Sequence, residues 1–395
     1  MEHFRIFMLS IALFSSTLAW CQKDTIDLRD AIGDLNASSI KRGEFPGAIQ
    51  VPGSDISLGF GGFIKTVIYH DSHKEARGEI APPAFLNPTD RNGQFAMSAR
   101  LSRFFTDARV PTSKGRIRGY FEYDFTGTGF NLRHAYGSYT QGRTEGLMGQ
   151  YWSALMDLRA LAYLEATAEP APSGAIFVRQ AQLRVTHRFS KSSLLFFSIE
   201  DPISNDLAIA NYEKRTSLPD LVAGISLAKA GVGHIQIAGV IRRLQADSAK
   251  TTSVGAMGYG VSLGSHLDLA TNTKLVVTGA YGKGFGRYLL GLNNITGALD
   301  GKRALQLLTH YGLAVAVQQP LNTRLRMNAG VGIAGNVGNK QSLSAFRKST
   351  YINTNFFYQI TRYLTAGIEY LYGRNAFVSN VQGKNHRVQI GIQVF

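Results

Sequence analysis

Apolar and polar side chains alternate along many short segments of this 395-residue chain. Successive side chains of an extended strand point to opposite faces, so each such segment has one apolar and one polar face. In segment 115–125 one face carries Ile117, Gly119, Phe121, Tyr123 and Phe125, and the other carries Arg116, Arg118, Tyr120, Glu122 and Asp124. In segment 180–188, Ala181, Leu183, Val185 and His187 stand opposite Gln180, Gln182, Arg184, Thr186 and Arg188. The pattern predicts strands that separate an apolar from an aqueous environment.

About sixteen such segments follow one another, and no linker or composition break divides them. They start near Ser57, Gly93, Gly115, Asn131, Glu145, Phe177, Ser193, Pro219, Val232, Thr252, Thr273, Gln306, Thr323, Thr350, Tyr363 and Lys384. A soluble β-sandwich shows the same alternation, but its polar face is the outer one and it does not need so many segments of about ten residues. We therefore predict an all-β protein, a transmembrane antiparallel β-barrel of about 16 strands, wide enough for an aqueous channel.

The connections between these segments differ in length, as they do in outer-membrane barrels. Ser190–Ser192 and Gln319–Leu321 have the size of periplasmic turns, whereas His70–Asn92 and Gly286–Ala304 have the size of external loops. The stretch Trp152–Ala175 follows a strand and contains a moderately apolar run with three acidic residues. We interpret it as an inward-folded constriction loop; an ordinary surface loop is the alternative.

The first residues have the layout of a secretory signal peptide. Arg5 precedes the apolar run Ile6–Phe14, and small residues follow up to Ala19. That run falls short of the roughly 20 residues that a membrane-spanning helix needs. The predicted organisation is a signal peptide at 1–21, a short N-terminal periplasmic segment at 22–56 and a barrel domain at 57–395.

Cys21, the only cysteine, lies at the predicted cleavage boundary. Cleavage after it leaves a mature chain without a thiol, a disulfide or a cysteine metal site. The alternative is a lipidated cysteine, although Trp20 stands where a lipoprotein signal has a small residue.

An exported chain without disulfides needs another source of stability. A closed barrel supplies one, because every backbone N–H and C=O pairs with a neighbouring strand.

Motifs for catalysis or cofactor binding are weak in this sequence. Gly260–Gly264 matches the G-x-S-x-G pattern around Ser262, but that chemistry requires a strand-to-helix elbow, and this segment reads as a glycine-rich strand. His70 and His73 stand near acidic residues in a predicted loop, which leaves a loop metal site as an alternative. We predict no catalytic residue, metal or other cofactor. Two rival functions stay open, a barrel hydrolase and a plugged structural or adhesin barrel.

Several motifs in the first half of the chain resemble the DcaP-type porin family. They are FPGAIQVPGSDISLGFGGFIK (Phe45–Lys65), SARLSRFFTDARVPTSKGRIRGYFEYDF (Ser98–Phe125), LRHAYGSY (Leu132–Tyr139), GQYWSALMD (Gly149–Asp157) and RQAQLRVT (Arg179–Thr186). The resemblance implies sixteen-stranded homotrimers of the outer membrane. It also implies passage of small hydrophilic solutes, with a preference for anionic organic acids, through a constriction lined by basic side chains. Some members carry a coiled coil before the barrel, whereas Asp24–Ser39 is too short to form one.

The resemblance also implies which arginines line the constriction. The arginines within matching motifs are Arg100, Arg103, Arg116, Arg118, Arg133, Arg179 and Arg184. Alternation independently places Arg116, Arg118 and Arg184 on the inner face, with Arg188 beside them and Glu122 and Asp124 as opposing acids. Arg100 and Arg103 are out of phase, so either a bulge separates them or one of them faces a subunit interface. A ring of guanidinium groups in a narrow passage attracts carboxylates, although the opposed charges could simply balance one another across the lumen.

The net charge and the carboxyl terminus lead to predictions about what the protein binds. A formal net charge of +15 supports an anion-guiding lumen, or basic loops in contact with lipopolysaccharide phosphates and outer-membrane lipid. The export signal and the lack of a binding module disfavour a nucleic-acid partner. Phe395 ends the last strand, where barrel assembly machinery typically reads a terminal aromatic residue. Its phase differs from that of Val388 to Val394, so we predict a closing strand that is regular only to about Gln393.

Overall fold

The structure is a computed structural model. It describes residues 41–74, 86, 89, 92–127, 129–161, 164, 166–168, 173–202, 207, 212–248, 253–269, 272–292, 296–299, 304–337 and 346–395. Residues 1–21 and most of the predicted loop His70–Asn92 lie outside this part of the chain. Among the described residues, helices are too short or too polar to cross a membrane.

Sixteen strands in the described residues form a closed antiparallel barrel, as the alternation predicts. They are β1 (Ser57–Asp71), β2 (Gln94–Ser98 and Arg103–Pro111), β3 (Arg116–Asp124), β4 (Asn131–Gln141), β5 (Thr144–Trp152), β6 (Arg179–Arg188), β7 (Ser193–Glu200), β8 (Tyr212–Arg215 and Asp220–Lys229), β9 (Gly233–Ser248), β10 (Ser253–Asp268), β11 (Lys274–Lys283), β12 (Thr309–Pro320), β13 (Leu325–Val337), β14 (Phe346–Thr361), β15 (Leu364–Phe377) and β16 (Gln382–Val394). Most strand starts lie within a few residues of the predicted ones, since alternation is a local property of each strand.

Pairing between β1 and β16 closes the barrel. Ile64 pairs with Val394 at one end of this seam and Asp71 with Arg387 at the other. The Arg387 guanidinium donates to the Asp71 carboxylate at 2.7 Å, and both side chains are fully buried. Pairing stays regular through Val394, one residue beyond the predicted limit at Gln393, and Phe395 follows the strand.

The two faces of the strands differ in polarity in the predicted sense. On β6, Leu183 and Val185 are 58% and 52% exposed on the outer surface, whereas Gln180 and Gln182 are 1% and 5% exposed on the inner one. Apolar side chains on the outside and polar ones within are the arrangement that lipid outside a barrel requires.

Strand β2 is interrupted between its two segments at residues 99–102. The side chain of Ser102 replaces a backbone partner there. Its hydroxyl accepts the N–H of Lys65 at 3.0 Å and donates to the carbonyl of Ala99 at 2.7 Å. The interruption accounts for the phase difference between Arg100 and Arg103, as the predicted irregularity in the strand requires.

Within residues 41–59, the short strand Ile49–Gln50 forms a hairpin with the first residues of β1. Ile49–Gln50 pairs with Ser57 and Leu58, and the N–H of Val51 donates to the carbonyl of Ile56 at 2.8 Å across the turn.

Candidate functional site: a basic cavity beside two inward loops

The described residues of the connection between β5 and β6, which are 153–161, 164, 166–168 and 173–178, fold into the barrel, as predicted; we call them the constriction loop. Glu200 on the inner face of β7 anchors its first residues. The Glu200 carboxylate accepts the Ser153 hydroxyl and the N–H of Ala154, both at 2.7 Å. Gln180 also donates to this carboxylate. A buried carboxylate with several donors holds the start of the loop against the wall.

Two further strands bind backbone carbonyls of the constriction loop. The Ser262 hydroxyl on β10 donates to the carbonyl of Leu155 at 2.8 Å, and the Gln236 amide on β9 donates to the carbonyl of Met156 at 3.1 Å. Ser262 therefore lies mid-strand and binds a loop carbonyl. It does not occupy the strand-to-helix elbow that a G-x-S-x-G nucleophile requires.

The later part of the constriction loop reaches the seam of the barrel. The N–H and the hydroxyl of Thr167 both donate to the Glu369 carboxylate on β15 at 2.8 Å. Lys65 on β1 donates to the carbonyl of Ala168 at 2.9 Å. Gly391 on β16 makes room here, because a Cβ at that position would lie 2.9 Å from the carbonyl oxygen of Thr167. The loop thus crosses the lumen from β7 to β15, β16 and β1.

Residues 284–292, the start of a second loop between β11 and β12, also enter the barrel. Its buried apolar side chains are Phe285, Tyr288, Leu289 and Leu292. The two loops join edge to edge, with the N–H of Gly174 donating to the carbonyl of Leu290 at 2.8 Å and that of Phe177 to the carbonyl of Tyr288 at 3.0 Å. The first residues of the predicted external loop Gly286–Ala304 thus fold inward, and their apolar side chains are buried.

Asp220 on β8 ties the second loop to the wall. Its carboxylate accepts the Tyr288 hydroxyl and the Arg287 guanidinium, each at 2.8 Å, and the Arg242 guanidinium lies 3.3 Å away. Burial raises the pKa of the Tyr288 phenol, which keeps it protonated as a donor. The two loops are thus bonded both to the wall and to each other.

The loops leave the lumen unevenly filled. Between the constriction loop and strands β10 and β11 only a gap of about 20 Å³ remains. A cavity of about 410 Å³ opens on the other side of the loop, along the inner faces of β3 to β9. Its charged lining residues are Arg118, Arg159, Arg184, Arg188, Glu145 and Asp157. Four cations thus face two acids across this space, and we take it as the candidate functional site.

Tyrosine rings position Arg118 and Arg184 on the cavity wall, and one carboxylate, that of Asp107, also holds Arg118. Arg118 donates to Asp107 at 2.8 and 2.9 Å and lies 4.8 Å over the ring of Tyr120 and 5.7 Å over that of Tyr136. Arg184 lies 5.6 Å over the ring of Tyr151. Stacking on aromatic faces fixes a guanidinium while leaving donors free for a ligand.

A second group of the predicted residues forms a sealed cluster on the same strands. Arg133 donates to Glu122 at 2.9 Å and to Asp124 at 2.5 Å, and Arg103 lies 3.6 Å from Glu122. The side chains of Arg133 and Asp124 are 2% and 0% exposed. Glu122 and Asp124 do not line the cavity, so within this structure they pair with the sealed arginines and do not form an opposing acidic wall.

The sequence profile of the DcaP outer membrane protein family matches residues 74–393, most of the chain. The chain belongs to the DcaP outer membrane protein family. The resemblance drawn from the motifs is confirmed, and with it the outer-membrane location and the class of outer-membrane channel.

Solved structures with the same fold are also outer-membrane proteins. The DcaP channel of Acinetobacter baumannii is 19% identical, with a TM-score of 0.77 over 90% of this chain and 99% of that one. An anion-selective porin from Comamonas acidovorans is 9% identical, with a TM-score of 0.62 over 86% and 99%. The trimer form of OmpT from Vibrio cholerae is 14% identical, with a TM-score of 0.55 over 86% and 99%. No curated protein matches the sequence.

The remaining predicted residues of this DcaP-family chain lie apart from one another. Arg100 is exposed at the interruption of β2, where it donates to the carbonyl of Phe125 at 2.8 Å. Arg116 is exposed at the start of β3, beside a turn. Arg179 lies 3.9 Å over the ring of Trp152 at the start of β6. Among the predicted arginines, the cavity thus brings together Arg118, Arg184 and Arg188.

Three charged residues of the cavity, Glu145, Asp157 and Arg159, escaped the sequence prediction. Arg159 is exposed on the short helix α1 (Leu158–Leu161) of the constriction loop. Asp157 lies 3.4 Å from His234 on β9, and burial raises the pKa of Asp157 to about 6. Asp157 ends one of the quoted family motifs, but alternation gives no signal for residues in an inward loop.

The described residues contain no group of three or more His, Cys, Asp or Glu side chains that could hold a metal ion. In the predicted loop site, the His73 ring bonds to the Ser72 hydroxyl at 3.0 Å, and part of that loop lies outside the described residues.

Proposed function

We propose that this protein is a passive porin that favours small anionic solutes, organic acids in particular, over cations. The observation that carries the proposal is the charge of the cavity, where four arginines stand against two acids in a lumen narrowed by two loops. The family and the fold are those of outer-membrane channels, not enzymes.

Physical chemistry supports the preference for anions. In a narrow passage with low-dielectric walls, fixed cations raise the local concentration of anions and lower that of cations. Guanidinium groups also bind carboxylates through two parallel hydrogen bonds. The fold is shared with a porin described as anion-selective, from Comamonas acidovorans.

The proposal extends to assembly and export. A homotrimer is supported by the trimer form of a protein of the same fold. We further propose that residues 1–21 are removed on export and that residues 22–56 lie on the periplasmic side. The outer partners would then be outer-membrane lipid and lipopolysaccharide, and the closing strand with Phe395 would be read by the assembly machinery.

Planar-bilayer recording tests this proposal. In a KCl gradient the reversal potential of the wild-type protein should favour Cl⁻ over K⁺. The double variant Arg184→Gln and Arg188→Gln should reduce that preference, because two of the four cavity cations are lost. Arg100→Gln is the matched control, since Arg100 lies in a family motif but outside the cavity.

Two results would overturn the proposal separately. A correctly folded protein without conductance would exclude a porin and favour a plugged barrel. Conductance without anion preference in the wild-type protein would exclude the anion-guiding role. Liposome swelling with a panel of organic acids and neutral sugars extends the same test to solutes, and the acids should enter faster.

A further inference from the structure

We infer that Arg159 is a specificity-determining residue of the channel, a loop-borne cation that makes the passage basic on both sides. The inference rests on the proposed anion preference. Arg118, Arg184 and Arg188 line the cavity from β3 and β6, whereas Arg159 lines it from the constriction loop. A solute in the cavity therefore passes between the wall arginines and a cation of the loop.

The burial of its neighbours indicates that Arg159 is placed for this role. Ala160 is fully buried in an apolar cluster with Leu164, Val276 on β11 and Ala316 on β12. On one short turn of helix, Ala160 thus packs against the wall while the side chain of Arg159 remains exposed. The packing of Ala160 holds the exposed cation at a defined position without burying it.

Asp157 is a positioning residue for Arg159. Its carboxylate accepts the N–H of Arg159 at 3.0 Å and that of Ala160 at 3.4 Å. The same carboxylate lies 3.4 Å from the ring nitrogen of His234. The acid is thus hydrogen-bonded to the turn that carries Arg159 and lies beside the barrel wall.

The Asp157 side chain packs against the barrel wall at Gly264. A Cβ at Gly264 on β10 would lie 2.3 Å from the Cβ of Asp157 and 2.5 Å from one of its carboxylate oxygens, so glycine makes room for the acid. The Asp157 side chain is only 5% exposed. The loop therefore presents its cation to the cavity and packs its acid against β9 and β10.

Without Arg159, the loop side of the cavity would contribute Asp157 as its one charged lining residue among the described ones. The passage would then be basic on the wall side only, which favours anions less. At 4 to 8 Å in water, one unit charge changes the energy of a permeating ion by about 0.5–1 kcal/mol. The effect on K⁺ has the opposite sign, and salt screens about half of the combined change, so loss of Arg159 should lower the Cl⁻ to K⁺ permeability ratio by about two- to fivefold.

The test is a series of variants at one position, measured by reversal potential in a KCl gradient. Arg159→Lys should keep the wild-type ratio, Arg159→Gln should lower it by about two- to fivefold, and Arg159→Glu should lower it further. Arg362→Gln is the matched control, because Arg362 is exposed in the turn before β15, outside the cavity. Heat-modifiable mobility on a gel verifies that each variant is folded.

The outcomes separate this inference from the function on which it rests. If the wild-type channel has no preference for Cl⁻, the proposed function fails and the role of Arg159 fails with it. If the wild-type channel prefers Cl⁻ and Arg159→Gln has the same ratio, only the role of Arg159 is overturned. A graded fall from Lys to Gln to Glu supports both.

Discussion

The inner wall of the barrel carries two arginine groups that differ in the number of acids around them. In the sealed cluster, Arg103 and Arg133 lie beside two acids, Glu122 and Asp124, so the charges balance. In the cavity, Arg118 shares the carboxylate of Asp107 with Arg109, a neighbour that does not line the cavity, so positive charge remains. The side chain of Arg118 is 33% exposed, that of Arg133 only 2%. The comparison teaches that inward direction alone does not give an arginine a role in permeation.

A β-bulge produces the sealed group. Glu122 pairs with His134 and Tyr123 with Leu132, so Arg133 is the extra residue of β4. The bulge lets Arg133 and His134 both face the interior, although they are adjacent in sequence. Arg133 thereby reaches between the two acids of β3.

The largest expected effect is a loss of stability on mutation of the sealed cluster, compared with a small loss on mutation of a cavity arginine. Arg133→Met leaves two buried carboxylates without this partner, and breaking a buried pair typically costs about 3–5 kcal/mol. We expect a clear fall in the urea midpoint of the folded protein in detergent. Arg188→Met is the contrast, because Arg188 is 48% exposed and lies 3.8 Å from Glu145, a geometry worth about 0–1 kcal/mol.

A compensating variant sharpens this result. Adding Glu122→Gln and Asp124→Asn to Arg133→Met removes the uncompensated charges and should recover much of the lost stability. Equal midpoints for Arg133→Met and Arg188→Met would show that the sealed cluster does not stabilise the barrel as its burial indicates.

Much of the fold could be predicted from the sequence because each strand carries its own alternation. The starts of β1, β4 and β7 coincide with the predicted residues Ser57, Asn131 and Ser193. The site was harder to predict, since the partners of Arg133 depend on a bulge and on strand register. Arg159 lies on an inward loop, where no period relates sequence to direction.

A smaller effect is expected at Ser262, whose hydroxyl tethers the constriction loop beside the cavity. Ser262→Ala removes one hydrogen bond to the carbonyl of Leu155, worth about 0.5–1.5 kcal/mol. We expect a slightly lower urea midpoint and an unchanged Cl⁻ to K⁺ ratio, because no charge of either arginine group is altered. An ester hydrolysis abolished by Ser262→Ala would instead revive the barrel hydrolase.

The smallest effect concerns Asp157, which is buried like the sealed cluster but lies in the lining of the cavity. Its pKa of about 6 lies above the ordinary 3.8, so between these values the folded loop holds a proton that the unfolded chain has lost. Its contribution to stability is therefore present below about pH 4, and it is lost as the pH rises through 6. The same ionisation adds one negative charge to the cavity lining. We expect the Cl⁻ to K⁺ ratio to fall by about twofold between pH 5 and pH 7.5.

Asp157→Asn isolates this acid from the other charges that face it. The other titratable or charged groups around Asp157 are His234 on β9, His266 on β10 and Arg159 on the loop itself. If Asp157 is the titrating group, the variant has a ratio that no longer changes between pH 5 and pH 7.5. If the fall persists in Asp157→Asn, the histidines carry it, and Asp157 belongs with the sealed charges that hold the barrel and its loops.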